Sequence, residues 1–218
     1  MIDAMRSPLL TDLYQLTMLQ GYLEDGMDGE AVFEFFVRKM PGKRGFFMAA
    51  GLESVMDFLE GARFMQAELD YLDSTKRFSR KLIDYLAGFR FRGGVEAMPE
   101  GTLFFPDEPI LRVTAPIGEA QLVESRLINL LHLQSLLASK AARCVLATAG
   151  RAKLVDFGLR RAHGAEAGLY AARSSFIAGF DGTATVLAEM LYGIPAFGTM
   201  AHSFIEAHRD EKNAFRRF

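Results

Sequence analysis

Cysteine and long apolar runs are scarce in this sequence. A single cysteine, Cys144, occurs among 218 residues, and one cysteine forms neither an internal disulfide nor a cysteine-rich zinc site. No stretch approaches the roughly 18 apolar residues of a membrane span, and residues 1–10 lack the apolar centre of a signal peptide. The sequence therefore predicts a soluble protein of a reducing compartment, with the cytoplasm as its location.

An excess of either charge is also missing. Lysine and arginine total 25 and aspartate and glutamate total 27, so the formal net charge is -2 at pH 7. Such a balance gives no reason to expect nucleic acid or a membrane as a partner. The chain also lacks a Walker phosphate loop, a dinucleotide-binding glycine fingerprint and an HExxH metal motif. A small-molecule role fits the composition better.

What is present is enough apolar sequence, 50% of all residues, to bury a sizeable core. Thr11 or Asp12 is the expected N-cap of a first helix that carries leucines on one face. An alternating pattern predicts a strand over residues 31–38, ended by Pro41 and Gly42. Further patterns predict helices at about residues 51–60, 79–86 and 118–140, and strands at about residues 89–97 and 110–113.

The pattern changes near residue 150. The expected order from there is strand 153–157, helices 165–177 and 183–192, strand 194–198 and a charged helical segment 209–218. Strands that alternate with helices are typical of parallel βα units. We therefore expect an α/β protein: a sandwich-like α+β domain over residues 1–150, then the first βα units of an irregular α/β barrel over residues 151–218. A closed barrel needs roughly 250 residues, so either the sheet is open or the chain is truncated.

Residues 154–164, LVDFGLRRAHG, are the first segment with chemical content. A strand that leads into two arginines ahead of a helix presents cations where parallel α/β folds bind ligands. Arg160 and Arg161 each offer a planar fork to phosphate or carboxylate, although a solvated basic loop explains them equally well. Phe157 either stacks on a flat substrate ring or belongs to the core.

Residues 198–204, GTMAHSF, are the second such segment, because Thr199 and His202 follow another strand. Histidine transfers protons or phosphoryl groups readily near neutral pH, but a lone histidine is more often structural. The other three histidines lack this setting and are interpreted as packing or surface residues: His132, His163 and His208. Asp181 to Thr183 indicate a turn and a helix N-cap. Tyr14, on the first helix but off its leucine face, points to an interface or a ligand.

These segments together resemble the N-terminal half of nicotinate phosphoribosyltransferases, which are type II phosphoribosyltransferases. The resemblance runs over nearly the whole chain and rests on an ordered set of motifs: LLTDLYQLTM (9–18), FEFFVRKMP (33–41), AGLESVMDFL (50–59), MPEGTLFFP (98–106), LHLQSLLASKAAR (131–143), VDFGLRRAHG (155–164) and GIPAFGTMAHSF (193–204). An unrelated phosphate-binding βα protein does not account for so complete an order.

The resemblance implies transfer of the phosphoribosyl group of phosphoribosyl pyrophosphate (PRPP) to the ring nitrogen of nicotinate, with Mg²⁺ and ATP hydrolysis. The matching positions imply these roles: His202 is phosphorylated from ATP, Thr199 and Tyr14 contact nicotinate, Phe157 stacks on its ring, Arg160 contacts PRPP or the substrate carboxylate, and Arg38 contacts phosphate. Tyr14 and Arg38 match residues that cross the interface of a homodimer, which places the active site between subunits. No metal ligand is assigned.

Two departures from the family pattern weigh on these roles. GTATV at residues 182–186 replaces the common GTSNV, so Ala184 and Thr185 receive no hydrogen-bonding role. Family members are about twice as long, and we expect this chain alone to be impaired. The alternatives are the nicotinamide phosphoribosyltransferase relative and an inactive binding or dimerisation remnant.

Overall fold

The structure is a computed structural model that describes residues 5–218, so residues 1–4, the start of the predicted first domain and of segment 1–10, lie outside the described residues. The helices are α1 Leu13–Glu24, α2 Leu52–Gly61, α3 Gln66–Ser74, α4 Arg80–Ala87, α5 Ile117–Thr148, α6 Ala165–Ile177, α7 Val186–Tyr192, α8 His202–Glu206 and α9 Glu211–Arg217. The strands are β1 Glu30–Phe35, β2 Phe47–Met48, β3 Gly94–Ala97, β4 Leu103–Phe104, β5 Leu111–Pro116, β6 Val155–Asp156 and β7 Gly182–Thr183.

Helix α5 is the centre of the molecule. It is 32 residues long, and half of its residues are buried on several faces. An antiparallel sheet of order β1-β5-β3 packs near its start. Strand β5 buries Leu111, Val113 and Ala115 and turns Arg112 outward, as expected of a strand with one face on the core.

The second half of the chain forms the parallel unit that the sequence predicted. Strand β6 pairs in parallel with β7, with Val155 opposite Gly182 and Asp156 opposite Thr183. Thr183 also forms a parallel bridge to Ala196. Helix α6 connects β6 to β7, so the segment is a βα unit of an α/β fold. The predicted fold class is confirmed, whereas the domain boundary near residue 150 stays a prediction.

Most helices lie where the sequence patterns place them. Asp12 is the N-cap of α1 and Ser79 the N-cap of α4, and α6 has the predicted bounds. Helix α5 runs beyond residue 140 to Thr148, where Ala149 and Gly150 take positive φ angles of 49° and 73°. Helix α3 was not predicted, because its short length and acidic residues give only a weak apolar period.

The strand predictions were wrong in their extent. Strand β1 ends at Phe35 and not at Arg38, because the carbonyl oxygens of Phe35 and Val37 accept hydrogen bonds from loop amides of Ile110 and Asp107. The predicted strand 89–97 reduces to β3, Gly94–Ala97. Strands of two residues cannot be predicted from sequence periodicity, because two residues show no alternation.

The predicted helix 183–192 also needs correction. Thr183 belongs to strand β7 and helix α7 begins only at Val186, so the turn signal at Asp181 precedes a strand. The predicted strand 194–198 contributes a single bridge at Ala196. The order after residue 150 is therefore strand, helix, strand, helix, which is the regular order of parallel βα units.

A buried ion cluster fastens α6 to the first half of the chain. Arg173 of α6 donates to both carboxylate oxygens of Glu100, at 2.8 and 2.6 Å, and also pairs with Glu53. The same Glu100 accepts from the backbone N–H groups of Gly51 and Leu52 at the start of α2, at 2.6 and 3.0 Å. One carboxylate therefore holds the ends of two helices together.

Charge pairing also determines how Glu100 ionises. Burial alone raises the pKa of its carboxyl, but the hydrogen bonds and charge of Arg173 and the two backbone donors outweigh burial and lower the pKa. The contribution of such a group to stability is present above its unfolded pKa and is lost as the pH falls through the folded pKa.

We expect Arg173→Met to lower the free energy of unfolding by about 3 kcal/mol at pH 7, because Glu100 then keeps a buried charge without its cation. Urea denaturation measures this change. Arg80→Met is the matched control, since Arg80 and Asp84 form an exposed pair with side chains 77% and 59% accessible. Its loss costs about 0.5 kcal/mol or less.

The same variant tests the pH dependence. The unmodified chain is expected to lose stability as the pH falls below the ordinary glutamate value of 4.5 and through the lowered pKa of Glu100. Arg173→Met is expected to show a shallower decline because the pKa of Glu100 is no longer held down. Arg173→Met and Arg80→Met losing the same free energy of unfolding, with the same dependence on pH, would contradict this role for the cluster.

Candidate functional site

Three parallel chain segments end at one edge of the small sheet. Strand β6 ends at Asp156, β7 at Thr183, and the bridging segment passes Ala196. Parallel strands bring their carboxyl ends to the same edge, which is where α/β folds bind ligands. We call this the carboxyl edge: the chain just beyond the three strand ends, residues 157–161, 184–185 and 197–202.

Asp156 organises the carboxyl edge. Its Oδ1 accepts from the Gly158 N–H at 2.9 Å, and its Oδ2 accepts from the Thr183 hydroxyl at 2.9 Å. Its carbonyl oxygen accepts from the Ala184 N–H at 2.7 Å. Both loops are thus fixed by one residue that the sequence analysis did not single out. The available signal was an acidic residue within an otherwise apolar strand.

Glycine allows the strands to approach closely. A Cβ placed on Gly182 would lie 2.3 Å from the Pro195 carbonyl oxygen and 2.5 Å from the Phe197 ring. A Cβ on Gly158 would lie 2.8 Å from Oδ1 of Asp156. Only hydrogen fits at Gly182, so this glycine sets the spacing between β7 and the segment around Pro195, whereas at Gly158 the Asp156 side chain would have to shift.

The residues after β6 project from the protein. Phe157 is 45% exposed and is therefore not a core residue. A short 3₁₀ turn, Leu159–Arg161, follows and leads toward α6. Arg160 and Arg161 are both exposed, and neither forms an ion pair with a carboxylate within residues 5–218. The edge thus presents an aromatic ring beside two guanidinium groups that have no acidic partner in that part of the chain.

The third segment carries the predicted histidine. His202 is the first residue of α8 and is exposed, as is Thr199 before it. His208, one of the three histidines assigned to packing or surface, has its Nδ1 2.6 Å from the Phe204 carbonyl oxygen and its ring 4.6 Å from the Phe204 ring. That contact confirms a packing role for His208, and His132 and His163 are exposed surface residues.

Tyr14 and Arg38 lie elsewhere in the chain. Tyr14 is 48% exposed on α1, and its hydroxyl accepts from the Gln15 side chain at 3.0 Å. Arg38 is exposed beyond the end of β1. Among the described residues, neither forms a hydrogen bond or ion pair with the carboxyl edge. The structure therefore places Phe157, Arg160, Thr199 and His202 just beyond strand ends at the carboxyl edge, and it places Tyr14 on α1 and Arg38 beyond β1.

Two kinds of feature, a metal-binding cluster and a membrane-spanning helix, are absent from the part of the chain from residue 5 onward. It contains no cluster of three or more histidine, cysteine, aspartate or glutamate side chains placed to hold a metal ion. It also contains no helix with the length and apolar character that crossing a membrane requires.

Comparison with known proteins identifies the family. The N-terminal domain of nicotinate phosphoribosyltransferase (NAPRTase) matches residues 9–132, and the nicotinate phosphoribosyltransferase (NAPRTase) family matches residues 152–218. The chain belongs to the nicotinate phosphoribosyltransferase family. The resemblance drawn from the motifs is thereby confirmed.

Individual relatives agree in sequence and in fold. The nicotinate phosphoribosyltransferase of Mycobacterium tuberculosis is 54% identical over 210 residues, which is 96% of this chain and 45% of the relative. The enzyme of Bacillus subtilis is 41% identical over 211 residues, 96% of this chain and 43% of the relative. The crystal structure of human nicotinic acid phosphoribosyltransferase superposes with a TM-score of 0.83 at 39% identity, over 90% of this chain and 40% of the human chain. The chain therefore spans less than half the length of these relatives.

We expect Gly182→Ala to destabilise the chain by about 2 kcal/mol, because the new methyl group overlaps the Pro195 carbonyl oxygen and the Phe197 ring. Urea denaturation measures the loss. Hydrogen exchange at the Thr183 and Phe197 amides, which bond to Pro195 and Thr183, shows whether the damage is centred on the carboxyl edge.

Gly198→Ala is the matched control for that substitution, since nothing lies within 4 Å of a Cβ at Gly198. It is expected to leave stability within about 0.5 kcal/mol of the unmodified chain. If both alanine variants unfold at the same urea concentration, the close approach at Gly182 does not hold the edge together.

Proposed function

We propose that this chain contributes the carboxyl edge of a nicotinate phosphoribosyltransferase of NAD salvage, with nicotinate and PRPP as substrates. In the reaction the ring nitrogen of nicotinate attacks the anomeric carbon of PRPP. The bond from that carbon to pyrophosphate breaks, so nicotinate mononucleotide and pyrophosphate leave. The placement of Phe157 and Arg160 after β6, and of Thr199 and His202 after the bridging segment at Ala196, supports this proposal most directly.

The chemistry of the edge suits that displacement. The reaction passes through an oxocarbenium-like state, so charge stabilisation and orientation provide most of the rate. Arg160 binds a PRPP phosphate or the nicotinate carboxylate, since its guanidinium has no acidic partner nearby. Asp156 does not oppose it strongly, because both of its carboxylate oxygens already accept hydrogen bonds. The exposed ring of Phe157 stacks on the pyridine ring, and the Thr199 hydroxyl bonds to nicotinate.

His202 supplies the link to ATP in this proposal. ATP transfers its γ-phosphoryl group to an imidazole nitrogen of His202 and leaves as ADP, and hydrolysis of the phosphohistidine then releases inorganic phosphate. Coupling to ATP hydrolysis drives an otherwise limited forward reaction. Mg²⁺ would be held mainly by the polyphosphates and by water, as is usual for Mg²⁺ at such sites, and would neutralise part of the phosphate charge.

Tyr14 and Arg38 complete the site from a second subunit. Both side chains are exposed, and among the described residues neither forms a hydrogen bond or ion pair with the carboxyl edge of its own chain, which supports a homodimer whose active site lies at the interface. A cytoplasmic location follows from the single cysteine. The relatives from Mycobacterium tuberculosis and Bacillus subtilis are nicotinate phosphoribosyltransferases, which favours nicotinate over nicotinamide.

Length bears on how much the chain does alone. Because it covers 45% of the Mycobacterium tuberculosis relative, residues that the rest of such a protein contributes are not among these 218. We expect turnover by the 218-residue chain alone to be low, and the half-site reactions to be the informative ones. A remnant that only binds or dimerises is the alternative, and it would leave His202 without phosphate in the first experiment below.

Incubation with Mg-ATP is expected to phosphorylate His202, giving an acid-labile phosphate that mass spectrometry places on that residue. His202→Ala abolishes the label. His163→Ala is the matched control, since His163 is also an exposed histidine near a helix start, and it retains full labelling. Label that persists in His202→Ala would contradict the role assigned to His202. Absence of label in the unmodified chain and in both variants would mean that this chain alone accepts no phosphoryl group from ATP.

Arg160→Gln is expected to weaken PRPP binding about tenfold in isothermal titration, because it removes one charge-assisted phosphate contact worth about 1.5 kcal/mol. Arg143→Gln, an equal charge change on the exposed side of α5, leaves binding unchanged. Equal affinities of the two variants would remove Arg160 from the phosphate site.

A further inference from the structure

A long groove lies between α5 and α6, running away from the carboxyl edge. The two helices run in the same direction, since Arg126 pairs with Glu166 near one end and Val145 lies beside Gly179 at the other. The groove has a volume of about 780 Å³. Its α5 wall extends from Asn129 to Cys144, which is about 20 Å along a helix.

The floor of the groove is apolar. It consists of the leucine and alanine side chains that α5 and α6 turn toward each other, with one aromatic ring: Leu133, Leu136, Leu137, Ala141, Ala167, Ala171 and Phe180. Clefts of roughly 300 to 1,000 Å³ with mostly apolar walls and a few polar groups are typical of small-molecule sites. The groove has both properties.

The polar groups on its walls are mainly basic. Lys140 and Arg161 are permanent cations, and the imidazoles of His132 and His163 can donate hydrogen bonds. None of these four side chains has a hydrogen bond or ion pair within the described chain. The one acidic residue on the wall, Asp156, already uses both carboxylate oxygens on Gly158 and Thr183. In a chain with a net charge of -2, this groove is therefore locally cationic.

This groove adjoins the carboxyl edge and shares Gly158 and Arg161 with it. Phe157, Arg160, Thr199 and His202, the proposed substrate contacts, do not line it. Arg160 and Arg161 are thus divided between two surfaces by the 3₁₀ turn, the first serving the edge and the second the groove.

We propose that the groove binds a small organic anion with a flat apolar body, its acidic group held by Lys140 and Arg161. The apolar body lies on the leucine and alanine floor against Phe180, and the imidazoles of His132 and His163 donate to the remaining acceptors. The inference does not rest on the proposed function, because it uses neither PRPP nor His202.

The single cysteine provides a local reporter for the test. Cys144 is exposed and lies on the groove wall, so acrylodan labels this position alone in the unmodified sequence. The probe is 1-naphthyl phosphate, and 1-naphthol is its neutral counterpart. We expect saturable quenching or shift of the acrylodan emission with 1-naphthyl phosphate, and at least tenfold weaker binding of 1-naphthol. Isothermal titration on the unlabelled chain checks that the label does not create the site.

Matched charge variants locate the anion. Lys140→Gln combined with Arg161→Gln is expected to weaken binding of 1-naphthyl phosphate about tenfold, the loss of two partly exposed charge-assisted contacts. Arg143→Gln combined with Arg217→Gln removes the same charge from exposed positions outside the groove and leaves binding unchanged. Ala171→Phe fills the floor and abolishes binding of both probes.

Three results would overturn the proposal. The first is any sign that the cations play no part, which is either equal binding of 1-naphthyl phosphate and 1-naphthol or equal binding by the two charge variants. The second is a loss in Arg160→Gln as large as in the groove variant, which places the ligand on the carboxyl edge. The third is the absence of saturable binding in both measurements.

Discussion

The packing of α6 along α5, closed by the Arg173 to Glu100 ion cluster, is the contact on which the rest of the structure depends. Helix α5 belongs to the core of the first half, and α6 connects the two parallel strands of the second half. Glu100 also holds the start of α2 through Gly51 and Leu52. If α6 moved, β6 and β7 would move with it, because each is only two residues long and has few hydrogen bonds of its own.

Because β6 and β7 are short, the geometry of the carboxyl edge is fixed by side chains more than by backbone hydrogen bonds between the strands. Two parallel strands of two residues supply too few backbone bonds to fix three loops. Asp156 adds bonds to Gly158, Thr183 and Ala184, and Gly182 permits the close approach of the segment around Pro195. The positions of Phe157 and Arg160 thus follow from a carboxylate and a missing side chain. This arrangement is rigid at its base and open at its tips, as a ligand site requires.

The sequence predicted the helices better than the strands, for a physical reason. Helix α6 and the caps Asp12 and Ser79 follow from local periodicity and capping, which act within a few residues. Strand β7 depends on Val155 and Ala196, partners distant in sequence, and its two residues show no period. The family motifs placed Phe157, Arg160, Thr199 and His202 near strand ends. The role of Asp156 was missed because its bond to Thr183 joins residues 27 positions apart, which no local pattern reveals.

The departure from the common family pattern at residues 184 and 185 is consistent with a loop whose position is fixed by Asp156 and Thr183. Ala184 holds its loop through the backbone, donating its N–H to the Asp156 carbonyl oxygen at 2.7 Å, and the Thr185 N–H donates to the Thr183 hydroxyl at 3.1 Å. Neither bond depends on the side chain at the position. The loop therefore keeps its course when those side chains differ from the common family pattern.

The buried hydroxyl of Thr185 is left without a partner among the described residues, a cost of about 1 to 3 kcal/mol unless water or a ligand reaches it. Variation at these two positions thus changes what the loop offers to a bound molecule, while Asp156 and Thr183 preserve where the loop lies.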